Sequence, residues 1–98
     1  MKPYLKNFLT YHKLDKSDFI ACAICKSKAT EVHHISGKPM GNKSKRYDVP
    51  ENLIPLCRDC HIKAHNEVIT KGQCKLALYN WSKNNKSEIK IETILNFK

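Results

Sequence analysis

Cysteine and histidine crowd the middle of this chain: Cys22, Cys25, His33, His34, Cys57, Cys60, His61 and His65 all fall between positions 22 and 65. Cys22-x2-Cys25 and Cys57-x2-Cys60 are two knuckles. Two residues between thiolates let both sulfurs turn towards one ion, and two such pairs complete a tetrahedral site. Four soft ligands leave no open position and call for no redox chemistry, so Zn2+ is the expected occupant, acting as a staple and not as a catalyst. Spacing alone leaves two redox pairs, disulfides or an iron site as alternatives. The odd cysteine, Cys74, falls on the apolar side of an expected helix and reads as core.

The histidines ask for different chemistry. His61 and His65 are four apart in a helical stretch, so both project from one face and can chelate one ion. His33 and His34 are neighbours in a stretch with strand character, where successive side chains point to opposite sides. One of them can bind an ion while the other approaches a substrate from another angle. A histidine titrates near pH 6.5 in its ordinary state, about 6.5 being its reference value, and can therefore be neutral at pH 7 and take a proton from water.

These side chains need elements to hold them. Pro3, followed by Tyr4, Leu5, Phe8, Leu9 and His12, predicts a short N-terminal helix with one apolar side. Thr30 to Ile35 reads as a strand ending at Ser36-Gly37, and residues 37–51, with two glycines, two prolines and clustered positive charge, as a loop. Asn52 to Leu56 is a second short apolar segment that Pro55 assigns to a sheet edge. Arg58 to about Asn66 fits a helix with Asp59 in its first turn, where a negative charge suits the helix dipole. Thr70-x2-Gln73 matches a capping box, and Cys74, Ala77, Leu78 and Trp81 follow at helical spacing. The tail is ambiguous: Ile89 and Ile91 alternate like a strand, whereas Ile91, Ile94 and Leu95 fit one helical face.

The chain has 98 residues, room for one domain over 1–98 and for no second core. So small a core makes a metal staple useful. Lys plus Arg number 18 against 9 Asp plus Glu, a formal charge of +9. That excess points to an anionic partner, nucleic acid first, although a cationic surface also serves solubility. No apolar run approaches the roughly 18 residues of a membrane span. The first residues, MKPYLKNFLTYHKLDK, are too broken by Lys, His and Asn for a secretory signal, so a reducing cytoplasm is expected.

Glu31-Val-His33-His34-Ile, then Asn52-Leu-Ile-Pro-Leu-Cys57-x2-Cys60-His61-x3-His65, resembles the HNH endonuclease motif in its zinc-knuckle form, over about residues 22–66. The resemblance implies an α+β fold, a ββα-metal core with a four-cysteine structural zinc site, flanked by an N-terminal helix in 1–21 and helical segments in 67–98. Carried over residue by residue, His34 is the general base, Asn52 the middle residue of the motif, and His61 its final histidine. His33 stands where many members have Asp and the nuclease colicins have His; with His61 it would hold the catalytic ion. His65 matches the additional ligand of the colicin-like subset, and Glu31 an acidic position beside the site. The implied activity is hydrolysis of phosphodiester bonds in DNA, RNA not excluded, with one divalent cation (Mg2+, Mn2+, Ni2+ or Zn2+) and 5′-phosphate and 3′-hydroxyl products. Asn52 would secure the loop that orients His34. Small proteins of this type are common in bacteriophages and prophages.

Lys38, Lys43, Lys45 and Arg46 lie between the histidine pair and Asn52 and are candidates for phosphate contacts, with Lys6, Lys13, Lys16, Lys83 and Lys86 extending the surface. Tyr79 and Trp81 read as packing residues. One active site cuts one strand, so a double-strand break requires a homodimer, for which 1–20 and 67–98 are the available surfaces, or two encounters. The main rival is a non-catalytic, zinc-ribbon-like nucleic-acid-binding module, which leaves the histidines and Asn52 unexplained. A protein-binding adaptor would show no salt-dependent DNA binding.

Overall fold

The computed structural model describes residues 2–37 and 45–97. Lys38 and Lys43 lie outside the described residues, as does the side chain of Lys45.

Among the described residues the helices and strands follow in the order α1 (Pro3–Tyr11), β1 (Glu31–His34), β2 (Leu53–Leu56), α2 (Arg58–His65), α3 (Lys71–Asn84) and α4 (Ile91–Asn96), with single 3-10 turns at Lys45–Tyr47 and Pro50–Asn52 between the strands. Pro3 opens α1 in the first turn, where its missing N–H costs nothing. Phe8 and Leu9 turn into the core, with Tyr4 and Leu5 packed against it. Helices α1, α2 and α3 each end in a Schellman cap. The amides of Leu14, Val68 and Ser87 reach back to the carbonyls of Leu9, Lys63 and Ser82. Each cap needs a left-handed residue, and these positions carry Lys13, Glu67 and Lys86 with φ of 57°, 60° and 59°.

Strands β1 and β2 form an antiparallel pair in the register Glu31↔Leu56, Val32↔Pro55, His33↔Ile54, His34↔Leu53. All four residues of β2 are buried. Pro55 has no N–H to give, but its carbonyl accepts the amide of Ala23 at 2.9 Å, which hangs the first cysteine knuckle on the second strand. Asn52 precedes β2 in a single 3-10 turn, Pro50–Asn52.

Behind the sheet, α1 and α3 share one core. Phe8 stacks on Trp81 with ring centroids 5.5 Å apart, and Leu53, Ile54, Leu56, Leu78 and Ile94 are fully buried around them. Thr70 and Gln73 exchange both bonds of a capping box at the start of α3. In the tail, helix wins over strand from Ile91 onward. Ile89 and Ile94 are both buried, and Ser82 Oγ accepts the Ile89 amide at 3.1 Å, so this stretch packs on α3. The result is the α+β arrangement of two strands and a helix carrying a four-cysteine cluster, with helices on either side of it in sequence. Among the described residues no helix is long and apolar enough to cross a membrane.

Candidate metal centres and active site

The knuckles close on each other. The Sγ atoms of Cys22, Cys25, Cys57 and Cys60 lie within 4.8 Å of one another, Cys25 and Cys57 being 3.6 Å apart. A tetrahedral ion with Zn–S bonds of about 2.3 Å holds its sulfurs roughly 3.8 Å apart, so the cluster fits zinc in size as well as in ligand chemistry. The hydroxyl and amide of Ser27 beside Cys25 draw its thiol down to about 6, which favours the thiolate a metal needs. Burial pushes the Cys60 thiol up. No disulfide links any of the five cysteines, and Cys74 is buried in the core, where burial also raises its thiol. The cluster joins the loop before β1 to Cys57, the N-cap of α2.

A second convergence lies on α2 and β1. One ring nitrogen from each of His33, His61 and His65 falls within 4.8 Å of the others. His61 Nε2 and His65 Nε2 are 3.1 Å apart, and the His33 ring meets the other two with centroids at 4.9 and 5.0 Å. These three imidazoles fit a first-row divalent ion, for which neutral ring nitrogens are preferred ligands. Burial, aided by the neighbouring histidines, holds His33 down to about 4, in the neutral form that binds metal. Glu31, on the same face of β1 as His33, accepts from His61 Nδ1 at 2.5 Å and lies 3.8 Å from Arg58. That bond with His61 holds the Glu31 carboxyl below the usual carboxylate range.

His34 points the other way, as strand alternation demands. Its ring stacks on Tyr4 of α1, centroids 4.7 Å apart and planes 7° from parallel, and its Nε2 sits 2.8 Å from Asp48 Oδ1. Asn52 is 1% exposed and fully engaged: its Oδ1 accepts the Ser36 amide at 2.7 Å, and its Nδ2 donates to the carbonyls of Ser36 and Tyr47 at 3.1 and 3.0 Å. Asn52 thereby ties together the two ends of the segment that runs from β1 to Asp48.

His33, His34, His61 and His65 line one open cleft of about 660 Å³, bordered also by Tyr4, Lys71 and Thr70. Asp48 reaches this cleft through its bond to His34. Three contributors escaped the reading of the sequence. Tyr4 looked like one more apolar residue of α1, Asp48 sat in a loop without periodicity, and Lys71 was the first residue after a helix cap. Among the candidate cations, Arg46 packs its guanidinium over the rings of Tyr47 and Phe97, at 5.0 and 5.2 Å from their centroids. Lys6, Lys13, Lys16, Lys83 and Lys86 are all exposed.

Residues 22–67 match the HNH endonuclease family model. Over 52 residues, 51% of this chain, the sequence is 35% identical to a mitochondrial DNA mismatch repair protein mutS homolog of Sarcophyton glaucum. The aligned stretch spans 5% of that relative's length. No solved structure matches the chain.

Proposed function

We propose that this chain, whose residues 22–67 match the HNH endonuclease family model, is a metal-dependent endonuclease that hydrolyses phosphodiester bonds in DNA. One observation carries the reading. Three histidines converge on a single point of a cleft, and His34, adjacent in sequence to one of them, lines the same cleft from the opposite face of the strand. A domain that only bound nucleic acid through a zinc knuckle would have no use for that second cluster.

In this mechanism His34 takes a proton from a water molecule, whose oxygen then attacks phosphorus in line with the leaving oxygen. The new P–O bond forms as the bond to the 3′ oxygen breaks, leaving a 5′-phosphate, and the departing 3′ oxygen takes a proton from solvent water to become the 3′-hydroxyl. His33, His61 and His65 would hold the divalent ion. The chemistry that ion supplies when bound is stabilisation of charge developing on the scissile phosphate and leaving oxygen. Glu31 orients the His61 ring through Nδ1 so that Nε2 faces the other ligands. Asn52 fixes the loop ends beside His34. The four cysteines would hold a structural Zn2+.

The segments outside the family match belong to the same working unit: α1 supplies Tyr4 to the cleft, and α3 supplies Lys71 at its rim. Lys71 joins Arg46 and the exposed lysines as a phosphate contact. The test is nicking of supercoiled plasmid with added Mg2+, Mn2+ or Ni2+, scored by strand polarity. Nicked circles are expected first, since one site cuts one strand. Salt-dependent DNA binding with no cleavage under any of these ions would instead favour the binding module.

A further inference from the structure

Asp48 is the residue that the arrangement around His34 leaves to be explained. It is buried, with a side chain only 8% exposed, and Oδ1 lies 2.8 Å from His34 Nε2. Such a carboxylate is not an accident of a flexible loop, because two independent bonds hold its backbone in place. Asn7 of α1 donates from Nδ2 to the Asp48 carbonyl at 2.9 Å, and Asn52 donates from Nδ2 to the carbonyl of Tyr47, the preceding residue, at 3.0 Å.

A carboxylate oxygen can only accept, so the proton of a neutral His34 ring must sit on Nε2. That leaves Nδ1 as the one lone pair of the ring. The stacked Tyr4 blocks rotation about the ring plane and removes a competing orientation. Ring face and tautomer are then set by two different neighbours, Tyr4 and Asp48.

We propose that Asp48 is the positioning residue of this nuclease: it selects the His34 tautomer that bears its lone pair on Nδ1 and holds that nitrogen ready to accept the proton of the attacking water. The assignment rests on the nuclease reading for its consequence in catalysis, but not for the tautomer. It also gives Asn52 and Asn7 a shared task. Both act on the segment that carries Asp48 and so reach the His34 ring through it.

The experiment is a long-range proton–nitrogen NMR spectrum of the histidine side chains in the whole 15N-labelled protein, paired with steady-state cleavage kinetics. Wild type is expected to show His34 protonated on Nε2 with an unprotonated Nδ1. In Asp48→Asn, which keeps the shape, the amide can present either its oxygen or its NH2 to the ring, and a mixture of tautomers is expected. kcat should fall about a hundredfold with KM changed little, as for loss of a well-placed base. Asp48→Glu, which restores the carboxylate on a longer stem, should recover the Nε2–H signature and part of kcat. Zinc content and spectral dispersion report that each variant is folded. A wild-type His34 protonated on Nδ1, or an Asp48→Asn protein with both tautomer and kcat intact, would overturn the proposal. A wild type that cleaves nothing while His34 shows the Nε2–H tautomer would sink the nuclease reading and leave the tautomer assignment standing.

Discussion

Glu31 Oε1 accepts from His61 Nδ1 at 2.5 Å, while the opposite nitrogen of the same ring lies 3.1 Å from His65 Nε2. The ring is held at one end and presented at the other. Outer partners of metal-binding histidines contribute 10- to 100-fold in affinity, as a rule of thumb about that range. Glu31→Gln is therefore expected to weaken divalent-ion binding at the histidine cluster by about tenfold or more, measured by titration calorimetry on protein with its cysteine site filled. Unchanged affinity would show that His61 is oriented by its packing alone.

His34→Ala removes the proposed base and touches neither cluster of ligands. Cleavage should fall by about 10²- to 10⁴-fold while zinc content stays near wild type; the melting temperature should drop, since buried Asp48 loses its bond to the ring and Tyr4 its stacked neighbour. The measurement is plasmid nicking with the melting curve alongside. Retained full activity would assign the base elsewhere.

Cys57→Ser removes one of the four candidate zinc ligands, which is also the N-cap of α2, the helix carrying His61 and His65. Metal analysis of the dialysed wild type should find about one zinc per chain, as a single site of four thiolates holds. The variant should lose it and with it cooperative folding, because structural zinc contributes on the order of 10 kcal/mol in small domains. A variant that still melts cooperatively without zinc would demote the cluster from staple to ornament.

Stability should fall in acid through His12. This residue is 3% exposed, bonds Ser87 Oγ from Nδ1 at 2.6 Å, and is pushed down by burial to about 4 from 6.5. Between those values the unfolded chain binds the extra proton and the folded chain does not, so stability rises with pH across the window. The contribution is complete above pH 6.5 and is lost as pH falls to 4, amounting to about 3 kcal/mol. Denaturant melts of wild type and His12→Leu over pH 4 to 7, a window of about three pH units, should give a shallower slope in the variant. Equal slopes would mean that the acid sensitivity arises at other groups, such as His33.

Much of the candidate site was legible because its rules are local. Two residues between cysteines, and three between His61 and His65, fix relative geometry through a turn or a helix whatever the rest of the chain does. The Thr70–Gln73 capping box was readable for the same reason, and so was the opposition of His33 and His34 in a strand. The tail was not, because Ile89, Ile91, Ile94 and Leu95 satisfy both periods. Burial of Ile89 and Ile94 against α3 decided between them.

By itself, the sequence determined which atoms were available and which neighbours along the chain could share an ion: the two cysteine knuckles, the histidine pair on α2, and the strand that separates His33 from His34. Only the tertiary structure brought Glu31 to His61, Asp48 to His34 and Tyr4 onto the face of that imidazole. Those partners lie 30, 14 and 30 positions apart in sequence. Contacts of that reach depend on strand register, on loop closure and on how α1 seats against the core. No periodicity encodes them, since each becomes favourable only once the backbone has already been assembled around it.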